Sequence, residues 1–476
     1  MSEVVQKDDK LPDGWIYTEL VNICTVDNGR VFKKTEWVSE GLPIIRIQNL
    51  KNSEAQFNYF NGELGEQHSV KAGDLLFAWS GTPGTSFGAH IWHGPDAALN
   101  QHIFNVRFDK ESIDPKYFYF ALNQNVTRYV EQAQGGVGLA HITKGKFMSS
   151  TIPLMPFEQQ KRIVDKIEEL FSHIDAGIEA LKKAKQLLKQ YRQSVLKAAV
   201  TGELTKEWRE ANKDKLEPAS QLLERILKER RQKWEEQQLE QFKAKGKMPK
   251  DDKWKEKYKE PVAVQSLPFE IPNGWETISL DTLIHRIEAG KSFKCDERPP
   301  LEGETGIVKV SAVTWGEFNS EESKTITDKN KINPNYRIKK GDFLFSRANT
   351  IELIGACVIV KEVDKDLLLS DKIHRFIIPE EWKGWVRLCL RTRHGRNEIE
   401  SLATGNQDSM RNISQGNVKK IKVPLLPVVE LIEVISLVNQ KIDGLQRLES
   451  EIEAHLMKAV KNKQSILASA FKGMLQ

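Results

Sequence analysis

The sequence predicts an α+β fold made twice: two duplicated domains separated by two long helices that pack as an antiparallel coiled coil with pseudo-two-fold symmetry. Three observations predict it. Short motifs recur in the same order along the two halves of the chain. Each half is rich in short apolar runs broken by Gly, Pro and Asn, and each ends in a long apolar seam with steps of four and three.

The repeats set the frame. Leu11-Pro12-Asp13-Gly14-Trp15 recurs as Ile271-Pro272-Asn273-Gly274-Trp275 at an offset of 260, and Gly73-Asp74-Leu75-Leu76-Phe77 recurs as Gly341-Asp342-Phe343-Leu344-Phe345 at 268. His141-Ile142-Thr143-Lys144-Gly145 returns as Asn412-Ile413-Ser414-Gln415-Gly416, and Ile152-Pro153-Leu154-Met155-Pro156 as Val423-Pro424-Leu425-Leu426-Pro427, both at 271. A creeping offset is what loop insertions in a duplicated domain produce.

The first domain, 1–155, reads as short strands and loops, with Leu42 to Ile47 and Gly73 to Trp79 as its clearest runs. A spacer helix, 156–204, carries the seam Ile163, Ile167, Leu170, Ile174, Gly177, Leu181, Ala184, Leu188, Tyr191, Val195, Ala198. Residues 205–270 form a charged linker with a short helix near Ala219 to Phe242, while Lys243 to Lys259 reads as mobile. The second domain, 271–426, repeats the texture of the first. The second spacer helix, 427–476, has the seam Leu431, Ile435, Val438, Ile442, Leu445, Glu449, Ile452, Leu456, Ala459, Lys463, Ile466, Ala470, with Glu449 and Lys463 as polar interruptions.

Charge sets the helix direction. Residues 158–179 carry six acids and three bases, and 182–197 carry six bases and no acid; 430–453 and 458–472 repeat the pattern. Acids favour helix N-termini and bases C-termini, and antiparallel packing also faces each acidic half with a basic one. Forty-odd residues at about 1.5 Å each predict a rod on the order of 65 Å with one domain toward each end.

Composition narrows the function classes. No stretch approaches the roughly eighteen apolar residues of a membrane span, and the N-terminus lacks the apolar core of a signal peptide, so a cytoplasmic protein is expected. Cys24, Cys295, Cys357 and Cys389 stand far apart, which signals neither a disulfide framework nor a zinc site. The net charge of +5 is too weak by itself to argue a nucleic-acid partner, and residues 206–260, with 17 basic and 13 acidic side chains, hold most of it.

Catalytic motifs are weak. Asn333-Pro334-Asn335-Tyr336 resembles the N-P-P-Y signature of amino-group methyltransferases, but no glycine-rich turn after a first strand precedes it, and Asn-Pro commonly opens a turn. Gly81 to Gly88 lacks the G-K-[ST] of a phosphate loop, and the histidines show no metal-ligand spacing. No catalytic residue and no metal site are expected. The alternative is a methyltransferase-like or nuclease enzyme acting by itself.

A duplicated domain whose polar loops differ between copies suits reading two separate sites on duplex DNA, where half-sites need a rigid spacer. The candidate reading loops are Trp79 to Thr85 and Gln134 to Lys144 in the first copy, and Ser346 to Thr350 and Gln407 to Asn412 in the second. Within them Trp79, Ser80, Thr82, Thr85, Gln134, His141, Lys144, Ser346, Arg347, Asn349, Gln407, Arg411 and Asn412 are the candidate contacts. Arg347 or Arg411 suits bidentate contact with guanine, and Asn349, Asn412 or Gln407 contact with adenine. Ile163, Ile167, Leu170, Ile174, Leu181, Leu188, Ile442, Leu445, Ile452 and Leu456 are the candidates for spacing and subunit docking.

The paired P-[DN]-G-W starts, the G-D-[LF]-L-F runs, the I-P-L-M-P-F-E-Q-Q helix entry, and the exits Gln193 to Leu204 and Gln464 to Leu475 together resemble the specificity subunit of Type I restriction-modification systems. The second copy departs at the helix entry, where Val428-Val429-Glu430 replaces F-E-Q-Q. The resemblance covers nearly the whole chain. It implies two target recognition domains, each reading half of a bipartite DNA target. It further implies helices that set the spacer and dock two modification (methyltransferase) subunits, with two restriction (motor and nuclease) subunits completing the complex. S-adenosylmethionine, ATP and Mg2+ would then belong to those partners, with none bound by this chain.

Overall fold

The computed structural model describes residues 11–475 apart from 53–54, 83–84, 133–139, 247, 250, 329–331 and 408–409. Two compact units divide the chain: Met1–Ala184 with Glu451–Gln476, and Lys185–Ser450. Each unit therefore contains one copy of the repeated domain and a piece of each long helix, Phe157–Val200 and Val428–Phe471, both of 44 residues.

Within each unit the strands follow one plan. In the first, Cys24–Asn28, Ile103–Phe108, Leu75–Ala78 and Gly88–Ile91 form an antiparallel sheet in that order; in the second, Arg286–Ala289, Ile373–Ile377, Phe343–Ser346 and Cys357–Ile359 do the same. A second sheet in each copy carries one parallel pair, Leu42–Ile45 with Ala97–Leu99 and Thr305–Val308 with Asp366–Leu368. The strand after the P-[DN]-G-W motif closes the domain by pairing with the last one, Ile16–Glu19 with Thr151–Leu154 and Glu276–Ser279 with Lys422–Leu425.

The repeated G-D motif is structural. Asp74 and Asp27 share the guanidinium of Arg107 at 3.4 and 3.2 Å, and Asp342 and Glu288 share that of Arg375 at 3.0 and 2.7 Å. The two arginines do not occupy the same register. Asn105 faces Leu76 where Arg375 faces Leu344, and Arg107 lies two residues further along the same strand face. Asn105 donates to Asp74 at 3.2 Å, so the central strand meets the same carboxylates by two routes.

Each core is completed by a repeated helix exit. Val195, Leu196, Ala199 and Val200 of the first long helix join the core of the second unit, while Ala470 and Phe471 of the second helix join that of the first. The two long helices are ion-paired within each unit, Lys463 with Asp175 at 2.6 Å in the first and Arg192 with Glu449 at 2.9 Å in the second. The two interruptions in the second seam are therefore the residues whose partners cross the helix pair.

The seam residues behave as expected except at Gly177, which is exposed while Ile178 beside it is half-buried, and at Tyr191. Ile163, Ile167, Leu445 and Ile452 are buried; Leu170, Ile174, Leu181, Leu188, Ile442 and Leu456 are half-buried. Tyr191, expected in the seam, is exposed, because the neighbouring Arg192 turns inward to reach Glu449. The expectation that Lys243 to Lys259 is mobile is corrected as well. The linker helix extends over Ala219–Ala244, and the turn Asp252–Lys257 buries Trp254 against Trp234 and Phe242. Of the cysteines, Cys24, Cys357 and Cys389 are buried and Cys295 is half-buried.

Candidate nucleic-acid interface

The loops singled out in each copy meet. In the first, Ser80–Gly81 pairs antiparallel with Ala140–His141, and the Ile142 amide donates to the Trp79 carbonyl at 3.0 Å. In the second, Ala348–Asn349 pairs with Met410–Asn412, and the Ile413 amide donates to the Arg347 carbonyl at 2.9 Å. Trp79 and Arg347 are thus equivalent, as are Ile142 and Ile413, at the offsets of 268 and 271 that relate the repeated motifs. Ile142 and Ile413 are buried, which anchors each pair to its core. The short helix that follows is capped by Thr143 in one copy and Ser414 in the other.

On this shared backbone the side chains differ. Trp79 is half-buried, stacked on Phe104 and edge-on to His141 at 4.6 Å. Ser80 is half-buried; Thr82, Thr85, His141 and Lys144 are exposed, with the Lys144 ammonium donating to the Val26 carbonyl at 3.1 Å. In the second copy Arg347 is half-buried and commits Nε to the Asp371 carbonyl at 2.6 Å. Asn349 is half-buried, and its side-chain oxygen accepts from the Thr350 amide. Arg411 donates to the Gly405 carbonyl at 2.8 Å, and Asn412 is half-buried beside it. Ser346 needs correction as a contact residue: it ends a buried strand at 0% exposure and faces Asn349, so it supports the reading strand from beneath. Gln134 and the side chain of Gln407 lie outside the described residues.

A cleft of about 450 Å³ opens beside the first pair. Thr82 and Thr85 line it, joined by Arg46, Gln48, Gln101 and His102, which the sequence did not single out. These four lie within three residues of the ends of apolar strands, Arg46 and Gln48 after Leu42–Ile45, Gln101 and His102 after Ala97–Leu99. Polar residues closing an apolar run were the available signal. At matching register the second copy has Lys309, Ser311, Asp371 and Lys372.

Buried polar atoms without a hydrogen-bond partner collect here: Trp37 Nε1, Trp79 Nε1, Gln101 Oε1 and His102 Nδ1 in the first copy, and Ser370 Oγ, His374 Nδ1 and Arg411 Nε around the second pair. Such atoms are rare in folded proteins and costly without a partner. Burial, with the nearby positive field of His141, holds the His102 imidazole below its ordinary pKa, so the ring is neutral at pH 7 and keeps one donor and one acceptor. The cleft is an array of donors and acceptors suited to a polar, planar ligand edge.

Comparison with known proteins points to one group of relatives. A family model described as the Type I restriction modification DNA specificity domain matches residues 12–188. The chain is 23% identical over 470 residues to the Type I restriction enzyme EcoBI specificity subunit of Escherichia coli, covering 97% of this chain and 86% of that one. It is 30% identical over 300 residues to the EcoEI specificity subunit of Escherichia coli, covering 62% and 46%. Over nearly its whole length the chain is similar to specificity subunits of Type I restriction enzymes. A chain from a solved structure, described as the basis of complex assembly and conformational transition of the type I R-M system, shares the fold at a TM-score of 0.62 and 16% identity, covering 98% of this chain and all of that one.

The Asn-Pro-Asn-Tyr stretch at residues 333–336 has a structural role. Asn333 caps a short helical turn, Pro334–Tyr336, by accepting from the Asn335 amide at 3.0 Å. The Asn335 carbonyl in turn accepts from Arg375 at 2.7 Å, which ties the turn to the ion-paired strand. No helix is long and apolar enough to cross a membrane among the described residues.

Proposed function

We propose that this chain is a specificity subunit that reads a bipartite duplex DNA target, one half by each copy of the repeated domain, and that its long helices set the gap between the halves. The observation that carries the proposal is the pair of equivalent reading segments: the same strand pairing in both copies presents Trp79, Ser80 and His141 in one and Arg347, Asn349 and Asn412 in the other. One scaffold with different donors and acceptors is what two unlike half-sites require, because base edges are told apart in the major groove by their hydrogen-bonding pattern. The cleft residues Arg46, Gln48, Gln101 and His102 extend the reading surface of the first copy.

In this proposal the chain is non-catalytic. Two methyltransferase subunits and two motor and nuclease subunits supply the chemistry, along with S-adenosylmethionine, ATP and Mg2+. The seam residues from Ile163 to Leu188 and from Ile442 to Leu456 are occupied by helix packing, so partner docking falls to the apolar residues that the same helices leave exposed. Ile432 and Leu187 in one unit and Met457 and Val460 in the other are the clearest.

Arg347→Ala tests the reading. Binding of the full chain, with its modification subunits, to duplexes altered at one base pair at a time should show relaxed preference within one half-site only, at a cost of about 1–3 kcal/mol. A uniform loss across both halves contradicts the assignment of Arg347 to base reading.

A further inference from the structure

The charge excess of residues 206–260 has a structural address. Helix Ala219–Ala244 and the turn Asp252–Lys257 are held together by aromatic contacts: Trp254 stacks on Trp234 with centroids 5.9 Å apart, and Tyr258 meets Trp234 edge-on at 5.4 Å. Arg230, whose side chain is 11% exposed, joins this element to the start of the second domain. It donates to the Tyr258 hydroxyl at 3.1 Å, the Lys259 carbonyl at 3.2 Å and Asp281 at 3.2 Å.

The fold leaves a cleft of about 250 Å³ lined by Arg230, Lys233, Lys257, Lys259, His285 and Lys419. Its counter-charge comes from Asp281, with Glu229 and Glu381 acting on His285 from nearby. Asp281 pairs with both Arg230 and Lys419 at 3.2 Å, whereas Lys233, Lys257 and Lys259 form no ion pair among the described residues. Arg230 Nε and His285 Nε2 are buried without hydrogen-bond partners. Burial, and then the charges of Lys233 and Arg230, depress the His285 pKa, as expected of an imidazole beside cations that lack their anion. Gathering like charges around unpartnered nitrogens is unfavourable until an anion arrives.

We propose that this cleft binds a backbone phosphate of the DNA outside the bases being read, a role that rests on the DNA reading given above. Phosphate is the chemistry that matches five cations in a space of this size. The DNA backbone is favoured over a nucleotide because lysines, which act as flexible point charges, dominate the site and no glycine-rich phosphate loop accompanies them. The linker thereby contributes to affinity and leaves sequence choice to the two domains.

The test compares the full chain, in complex with its modification subunits, with its Lys233→Gln/Lys257→Gln variant; both lysines are exposed, so the fold does not depend on them. Binding to a target duplex is measured across a salt series. The slope of log affinity against log salt should shrink by about 0.9 for each phosphate that is no longer neutralised, with the preference for target over scrambled duplex retained, and Lys233→Arg/Lys257→Arg should restore the slope. An unchanged slope overturns the proposal. Thermal unfolding in inorganic phosphate or ATP, against chloride at equal ionic strength, separates the sources. A stabilisation that the Gln variant loses while its DNA slope is unaffected assigns the site to a free phosphate or nucleotide and overturns the DNA assignment. Absence of target preference in the unaltered complex would instead remove the DNA-reading proposal, and the slope comparison on scrambled duplex would still be readable.

Discussion

Glu430 and Gln159 hold the same place in the two copies and illustrate how one substitution follows from its surroundings. Each accepts from the tryptophan of the P-[DN]-G-W motif, Trp15 to Gln159 at 2.7 Å and Trp275 to Glu430 at 2.9 Å. Gln159 is exposed. Glu430 is fully buried and also meets Thr205 at 2.7 Å and Arg209 at 3.0 Å, so a carboxylate is required where a carboxamide suffices in the first copy. This explains the Glu430 position in the departure from the repeated helix entry. Glu430→Ala should destabilise the second unit by about 3–5 kcal/mol, because the largely buried Arg209 loses its only carboxylate partner among the described residues; chemical denaturation of the full chain, followed by a probe in that unit, measures it. His374 makes a second prediction at this scale. Burial, and then the charge of Arg347, lowers its pKa to about 4. The unfolded chain takes up that proton near pH 6.5, so the stability associated with neutral His374 is complete above that pH and is lost as pH falls toward 4, by about 3 kcal/mol. The matching register position is Phe104, which faces Phe77 as His374 faces Phe345. Stability of His374→Phe should therefore vary less between pH 6.5 and 4 than that of the parent, and equal slopes would refute the assignment.

At the scale of elements, what is legible in the sequence is whatever both copies must build alike. Asp74 and Asp342, Ile142 and Ile413, and the helix exits recur because each satisfies the same backbone or core contact. Residues that differ between copies leave weaker traces. Arg46 and Gln101 come from distant segments and meet only in the folded cleft, so no local period announces them. The linker reads as solvated because charges outnumber apolar residues, yet an aromatic cluster of Trp234, Phe242, Trp254 and Tyr258 holds its helix and turn together. The slip from Tyr191 to Arg192 is hidden for a different reason: an ion pair across the helices outweighs the apolar period. The helix exits carry a prediction of their own. Gly202 and Gly473 both have positive φ, 73° and 72°, and an added Cβ would lie 2.3 Å from Pro272 and 2.2 Å from Pro12. Gly202→Ala should cost at least about 1–2 kcal/mol in the second unit, and Gly473→Ala a similar amount in the first, each read by thermal unfolding. An unchanged midpoint for either would mean that the exit turn is not a constrained junction.

For the whole molecule, the proposed function assigns reading to two domains and spacing to the helices, which act as a ruler. The near-neutral balance of the chain outside residues 206–260 means that long-range attraction contributes little to choosing the site. Sequence choice then depends on the donors and acceptors set on the two equivalent strand pairs, and the gap between half-sites on helix length. Removing one heptad from both long helices shortens each by about 10.5 Å, close to 3 bp at about 3.4 Å per bp. The most direct measurement is a genome-wide map of methylated bases in cells carrying this chain and its modification subunits, with and without that deletion. A helical ruler requires a motif of two separate half-sites whose gap narrows by about three base pairs while both halves keep their sequence. An uninterrupted motif, or a gap unchanged by the deletion, would contradict it.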